Sequence, residues 1–160
     1  MTPFSIITHP STTLRERSIE VSLQDIGTPE FQAYLDRLIE TMWAKDGVGL
    51  ASPQVGINKR VIVVTQKNKG VVYINPEITK HSDATATDEE GCLSVPNVWG
   101  LVERSKKVSL RALDRHGRRV EINAKGLEAV IFQHEIDHIN GILFIDKVKE
   151  FTRGKEHLNI

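Results

Sequence analysis

The sequence predicts an α+β fold with antiparallel β-sheets, and three features of its pattern support this class. Apolar, β-branched segments occur in pairs that are joined by short polar turns, as in β-hairpins. The two clear helical patterns lie near opposite ends of the chain. Strands and helices do not alternate regularly, which argues against a doubly wound parallel sheet.

The first predicted helix runs from residue 29 to about residue 43. Thr28 supplies a capping hydroxyl, and Pro29 suits the first helical turn. Hydrophobic residues then recur at helical spacing, which predicts an amphipathic helix of about four turns with its aromatic residues in the core. Residues 1–25, which contain two prolines, are interpreted as an extended or irregular arm before this helix.

Two hairpins are predicted in the middle of the chain, each built from two apolar runs around a polar turn. The strands are predicted at residues 60–66, 71–75, 107–114 and 118–124. Lys67–Gly70 is the first turn, and His116-Gly117 is the second. The polar segment 81–89 is interpreted as a loop, and the weakly patterned tail after residue 141 receives no element.

The second predicted helix runs from about Leu127 to Ile139. Apolar residues lie almost all round it, so we expect a buried helix and not an amphipathic one. It nevertheless carries His134, Glu135, Asp137 and His138. Buried charges are costly unless they are paired, neutralised or bound to a metal, so the helix requires a functional explanation.

A metal site explains these residues. His134 and His138 are four residues apart, so both imidazoles project from one side of the helix and can converge on a cation. Glu135 lies about 100° round the axis, beside the place of a catalytic water, and zinc hydrolases use this His-Glu-x-x-His arrangement with the Glu as general base. Catalytic sites take three protein ligands, and Cys92, the one thiol in the chain, suits zinc or ferrous iron. The alternative is a helix with two hydrogen-bonded core histidines and a surface acid.

Three segments together resemble the three motifs of the peptide deformylases. They are Gly47–Gln54 (GVGLASPQ), Glu90–Ser94 (EGCLS) and Gln133–His138 (QHEIDH). Their order and separation also match, and the likeness extends over nearly the whole chain. The sequence departs from the pattern at Ser52, where alanine is commoner, and this is interpreted as a tolerated small-residue change. The tail is shorter than the C-terminal helix of some members, so a tail-mediated contact is not assumed.

The resemblance implies a metal-dependent hydrolase that removes the formyl group from the initiator methionine of newly synthesised polypeptides and releases formate. It implies antiparallel sheets packed around a central metal-bearing helix. It also implies Fe²⁺ as the native ion, with Zn²⁺, Ni²⁺ or Co²⁺ able to occupy the site. The expected partners are N-formylmethionyl nascent peptides, with at most a weak ribosome contact.

The resemblance further assigns roles to residues of the motifs. The Gln54 side-chain amide and the Leu93 backbone N–H stabilise negative charge on the formyl oxygen, whereas without the family match Gln54 is a polar loop residue. The peptide lies as an added strand against Val48-Gly49. Residues expected at the substrate site are Val48, Gly49, Glu90, Gly91, Leu127, Val130 and Ile131. The four apolar side chains among them are candidates for the methionine pocket, with core packing as the alternative.

Supporting roles are expected beside the ligands. Glu90 and Gln133 are predicted to orient the ligands or their loop. Asp137 is expected to do the same or to face solvent.

The composition of the chain bears on its domain organisation, its partners and its location. The chain has 160 residues with 39% hydrophobic and 26% charged, which fits one ordinary globular domain, so we expect a single catalytic domain over residues 1–160. The 21 Lys and Arg residues balance the 21 Asp and Glu residues, which gives no support for a DNA or membrane partner. Without an apolar run of about 20 residues or a secretory pattern, the sequence favours the cytoplasm.

Three other functions remain open at this point. A zinc peptidase would cut unformylated peptides at least as well as formyl-methionyl peptides. A Cys–His amidase that uses Cys92 and His134 without metal would survive a chelator. A non-catalytic, metal-stabilised binding module would keep its binding activity after Glu135→Ala.

Overall fold

The computed structural model describes residues 1–159 and confirms the α+β class. In these residues the α-helices are Leu23–Ile26 (α1), Pro29–Ala44 (α2) and Leu127–Ile139 (α3). The strands are Gly49–Ala51 (β1), Val61–Gln66 (β2), Lys69–His81 (β3), Thr85–Cys92 (β4), Val95–Ser105 (β5), Lys107–Leu113 (β6), Arg119–Lys125 (β7) and Val148–Arg153 (β8). No helix within residues 1–159 has the length and hydropathy that crossing a bilayer requires.

A five-stranded antiparallel sheet with the order β1-β2-β3-β6-β7 separates the two long helices. Strand β2 lies between the two helices, because successive side chains of a strand point to opposite faces of the sheet. Val61 and Val63 pack in the core that contains α2, whereas Ile62 and Val64 pack in the core that contains α3. Both faces of the strand are therefore buried, which is why its sequence is a continuous apolar run.

Helix α2 begins as predicted but buries fewer aromatic residues than expected. The Thr28 hydroxyl accepts a hydrogen bond from the Phe31 N–H at 3.2 Å, and Pro29 occupies the first turn. The prediction that its aromatic residues lie in the core is wrong for Trp43. That side chain is 41% exposed, and its Nε1 donates to Thr65 Oγ1 at 3.2 Å.

A second, three-stranded sheet with the order β4-β5-β8 was not predicted. The prediction of a loop at residues 81–89 is wrong, because β3 continues to His81 and β4 begins at Thr85. Strand β4 is largely exposed and therefore lacks an apolar alternation. The buried positions of β5 include Gly100 and Arg104, which conceal its period of two. Strand β8 lies in the tail that received no element.

The first hairpin is longer and its turn tighter than predicted. Gln66 pairs directly with Lys69, so the turn consists of Lys67 and Asn68, both in the left-handed conformation with φ of 50° and 63°. This is the backbone that a two-residue hairpin turn requires. Strand β3 then extends well beyond the predicted end at residue 75.

Helix α3 has the predicted bounds and lies between the two sheets, where it contacts β1, β2, β3 and β7 of the larger sheet and β5 of the smaller. Its inner side is buried through Ala129, Phe132, Ile136 and Ile139. Leu127 is the exception to the expected burial, since its side chain is 71% exposed. The helix is thus a central element that carries polar residues into the interior.

Candidate metal centre and substrate cavity

Three potential metal ligands from two distant segments meet in the interior. Helix α3 presents His134 and His138 from adjacent turns, with ring centroids 5.0 Å apart, and the last residue of β4 presents Cys92. The Cys92 Sγ lies 3.3 Å from His138 Nε2. One ligand atom of each residue lies within 4.8 Å of the other two. The structure therefore brings together the three residues that the sequence predicted as ligands.

The chemistry of this donor set fits a divalent cation. A sulfur and two imidazole nitrogens match the ligands that zinc or ferrous iron takes in proteins, at distances of about 2.0–2.3 Å from the ion for zinc. His138 is almost fully buried, at 1% exposure. Burial, helped by the nearby positive charge of His134, lowers the pKa of His138 well below its usual value. A neutral imidazole is the form that binds a metal.

Glu90 orients the His134 ring through a hydrogen bond. Its Oε1 lies 2.8 Å from His134 Nδ1, which leaves the other ring nitrogen for an ion. Burial by itself would raise the pKa of Glu90, but the hydrogen bonds from His134 and Arg104 outweigh it and lower the pKa to about 2. Burial likewise opposes a charge on His134, yet the hydrogen bonds with Cys92 and Glu90 raise its pKa. A metal ion that binds His134 therefore has to displace this proton.

Arg104 is a site residue that the sequence reasoning missed. Its guanidinium is buried, donates to both oxygens of Glu90 at 2.9 and 3.0 Å, and donates to Asp137 Oδ2 at 2.6 Å. Lys147 Nζ lies 2.9 Å from the same Asp137 oxygen. Asp137 therefore does not face solvent but pairs with a buried cation. An arginine at a core position of a strand is a usable signal, but only where the strand itself is recognised.

Gln133 holds a strand and does not touch the ligands. Its side chain accepts from the Ser105 backbone N–H at 3.0 Å and donates to the Ser105 carbonyl at 2.9 Å. It also donates to the Ala129 carbonyl of its own helix at 3.0 Å. Gln133 therefore fastens the end of β5 to α3, close to Arg104.

Glu135 lies in a pocket that suits proton transfer. It is 5% exposed, and its Oε1 is buried without a hydrogen-bond partner among residues 1–159. Gly49 makes room for it, since a Cβ at Gly49 would lie 2.8 Å from Glu135 Oε2. Burial raises the pKa of this carboxyl to about 7. A group with such a pKa can both accept and release a proton near neutral pH.

Gln54 reaches the thiol end of the site from the turn after β1. Its Oε1 accepts from the Ala51 N–H at 3.0 Å, which fixes the direction of the amide. Its Nε2 lies 3.2 Å from Ser94 Oγ and 3.6 Å from Cys92 Sγ. The amide hydrogens are therefore held beside the ligand cluster, and Ser94 is a second contact that the sequence reasoning missed.

One cavity of about 480 Å³ is lined by Cys92, His134, Glu135, Glu90 and Gln54 of this site, and its size is typical of small-molecule sites. The predicted residues that line it are Val48, Gly49, Gln54, Glu90, Gly91, Cys92, Leu93, Leu127, Val130, Ile131, His134 and Glu135. The buried His138 is not among the residues that line it. The lining also includes Asp46, Gly47, Glu89, Pro96, Asn97 and Trp99, which were not predicted. Several of these belong to the unpredicted second sheet.

Comparison with known proteins decides the family. The family model for polypeptide deformylase matches residues 3–154. The chain belongs to the polypeptide deformylase family. A peptide deformylase of Desulforudis audaxviator is 43% identical over 157 residues, which are 98% of this chain and 100% of that protein. The enzyme is a hydrolase that removes the N-formyl group of formyl-methionine from nascent peptides.

Solved deformylase structures share the whole fold. The peptide deformylase of Thermotoga maritima superposes with a TM-score of 0.88 at 39% identity and covers 93% of this chain and 99% of its own. A class I type b peptide deformylase from Acinetobacter baumannii gives a TM-score of 0.89 at 37% identity, covering 92% and 100%. The resemblance inferred from the three motifs is thus confirmed, and so is the deformylase reaction over the zinc-peptidase and binding-module alternatives.

Proposed function

We propose that Cys92, His134 and His138 hold one divalent cation in this deformylase and that Glu135 transfers the proton. The convergence of the three ligand atoms within 4.8 Å of one another, with Cys92 and His134 also lining the cavity, carries this proposal. When bound, the cation supplies a Lewis acid that polarises the formyl carbonyl and makes water more acidic. We propose Fe²⁺ as the native ion because the likeness to the deformylase family implies it. Zn²⁺, Ni²⁺ or Co²⁺ can substitute, because thiolate and imidazole suit all four ions.

The residues of the chain divide the remaining work. Glu135 accepts a proton from the attacking water while the water oxygen bonds to the formyl carbon. The Gln54 amide and the Leu93 backbone N–H donate to the carbonyl oxygen, where negative charge grows. Glu135 then delivers the proton to the departing nitrogen as the C–N bond breaks. Formate and a free amino group on the methionine result.

Backbone pairing positions the peptide in the proposal. Strand β1 is at the edge of its sheet and follows Val48 directly, so Val48-Gly49 can accept an extended peptide as an added strand. Val48 and Leu127 are 54% and 71% exposed, which is unusual for core residues. With Val130 and Ile131 they form an apolar lining that we assign to the methionine side chain. Glu90 and Gly91 border the same cavity.

Glu135→Gln tests the proton-transfer role. We expect the variant to bind as much metal as the wild type and to release formate from formyl-Met peptides at least about 100-fold more slowly. Glu128→Gln on the same helix is the matched control, since Glu128 does not line the cavity. Full formate release by Glu135→Gln would remove Glu135 from the mechanism.

The cellular setting completes the proposal. We place the enzyme in the cytoplasm, with N-formylmethionyl nascent peptides as its partners, because new polypeptides are its substrates. The family match over residues 3–154 supports one catalytic domain that spans residues 1–160. The formal net charge of zero favours at most a weak ribosome contact, since a strong RNA contact requires excess positive charge.

A further inference from the structure

Trp99 is a large aromatic residue exposed on the wall of the substrate cavity. Its side chain is 37% exposed and lines the cavity with Pro96 and Asn97 of the same strand. The mechanism does not use it. Large aromatic side chains give much binding free energy when they are covered, so an exposed one in a cavity marks a contact surface.

Two neighbours hold the indole ring in this position. A Cβ at residue 91 would lie 2.5 Å from the ring, so Gly91 allows Trp99 to lie against the strand that carries Cys92. Trp99 pairs with Arg153 of β8, whose guanidinium carbon lies 4.9 Å from the centroid of the ring, a cation–π contact. Arg153 in turn lies 3.9 Å from Glu89. The ring is therefore held in place before any substrate binds.

Trp99 belongs to a different element of the cavity wall from the residues assigned to methionine. Val130 and Ile131 belong to α3, and Val48 precedes β1, whereas Trp99 belongs to the three-stranded sheet. An extended peptide advances about 3.3 Å per residue. Its residues after the methionine therefore have to leave the methionine pocket along the rest of the cavity wall.

We propose that Trp99 is a specificity-determining residue whose indole ring binds an apolar side chain of the substrate located after the formyl-methionine. This rests on the proposed function, since it requires the peptide to occupy the same cavity. The ring offers an apolar face, and the Arg153 cation beside it lies close to the Glu89 carboxylate, so no lone charge there favours a charged side chain over an apolar one. An aromatic or large aliphatic side chain is thus the preferred occupant.

Substrate series provide the first test. Formate release is measured with metal-loaded wild type, Trp99→Ala and Trp99→Phe, on formyl-Met-X and formyl-Met-Ala-X amides with X as Phe, Leu, Gly or Lys. In one of the two series, we expect the wild-type kcat/KM for the substrate with X as Phe to exceed that for X as Gly about tenfold. One aromatic contact contributes a free energy of this size. The ratio should approach one in Trp99→Ala and remain partly in Trp99→Phe. An unchanged ratio in Trp99→Ala would overturn the proposal.

Fluorescence provides a second test that needs no turnover. The chain has two tryptophans, so Trp43→Phe leaves Trp99 as the only one, and Trp43 does not line the cavity. Titration of this variant with the product Met-Ala-Phe should change the emission in a saturable way, and Met-Ala-Gly should change it less. Calorimetric binding of Met-Ala-Phe without any change in emission would contradict the proposal. If the proposed mechanism fails instead, Glu135→Gln keeps full formate release, whereas failure of the Trp99 proposal alone changes only the dependence on X, so the two results are distinguishable.

Discussion

Ser52, the departure from the family pattern, has a structural explanation at the residue scale. Its side chain is fully buried, and its Oγ donates to the Ile57 carbonyl at 2.7 Å and accepts from the Tyr34 hydroxyl. The sequence interpretation of a merely tolerated small residue is therefore incomplete. The hydroxyl of Ser52 accepts the hydrogen bond of a partly buried tyrosine, which alanine would leave without this acceptor.

The Tyr34 hydroxyl should make the protein less stable in alkali. Burial raises the pKa of Tyr34 above its usual value, so above a pH of about 10 the unfolded chain loses this proton more readily than the folded one. The associated stability is complete below that pH and is lost as the pH rises through the folded pKa. Tyr34→Phe should flatten the fall in the free energy of unfolding between pH 9 and 11, measured by urea denaturation.

The Tyr34–Ser52 contact supplies the control for this prediction. At pH 7, Ser52→Ala should cost about 0.5–1.5 kcal/mol, because the partly buried Tyr34 hydroxyl loses its hydrogen-bond acceptor. Tyr34→Phe combined with Ser52→Ala should cost less than the sum of the single changes. Strict additivity, together with an unchanged alkaline slope in Tyr34→Phe, would show that the contact has no energetic role.

The residues that could be predicted from sequence are those whose own spacing defines a geometry. His134 and His138 lie on the same face of their helix whatever the tertiary structure. Cys92 is the one thiol in the sequence. Arg104 and Trp99 could not be predicted in this way. Their functional positions depend on which neighbours a sheet brings beside them, and the sequence pattern did not reveal that sheet.

At the scale of elements, Arg104 joins β5 to α3 through two carboxylates. Glu90 comes from β4 and Asp137 from α3, and both are largely buried, with side chains 7% and 14% exposed. A buried charge that loses its partner destabilises a protein much more than an exposed one. The contact therefore fixes the strand that ends in Cys92 relative to the helix that carries the two histidines.

Arg104→Leu should disturb both stability and metal binding. Removal of the cation leaves Glu90 and Asp137 without it, so the free energy of unfolding should fall by about 3–5 kcal/mol. Because Glu90 orients His134, metal affinity should fall about 10–100-fold. Denaturation and competition with a chromophoric chelator measure the two effects.

Arg111→Leu is the matched control for that prediction. Its ion pair with Glu77 is exposed, at 63% and 62%, so its loss should cost less than about 1 kcal/mol and leave metal affinity unchanged. If Arg104→Leu behaved like Arg111→Leu in both measurements, Arg104 would have no positioning role.

The sequence predicts some elements better than others, and this difference has a physical reason. Helices α2 and α3 and strands β2, β6 and β7 are defined by burial of a regular set of side chains, and all were predicted. Strand β4 is mostly exposed, and β5 contains proline, glycine and a buried arginine. Their pairing depends on the closure of the whole molecule and not on a local pattern.

At the scale of the whole molecule, the proposed metal centre lies where the two sheets meet on α3. One ligand comes from the three-stranded sheet and two from the helix that packs on the five-stranded sheet. A cation bound to these residues would link the three-stranded sheet to α3, so its binding should also stabilise the fold. The reaction and the stability of the protein are in this way linked to the same three atoms.

Metal titration of stripped enzyme tests this centre most directly. Protein prepared without oxygen and freed of metal by a chelator is reloaded with graded amounts of Fe²⁺, and bound metal and formate release are measured on the same samples. Formate release should rise in proportion to bound metal and level off at one ion per chain, whereas Cys92→Ala and His138→Ala should bind little. Formate release by metal-free protein, or one tightly bound ion in both variants, would contradict the assignment of Cys92, His134 and His138 as ligands.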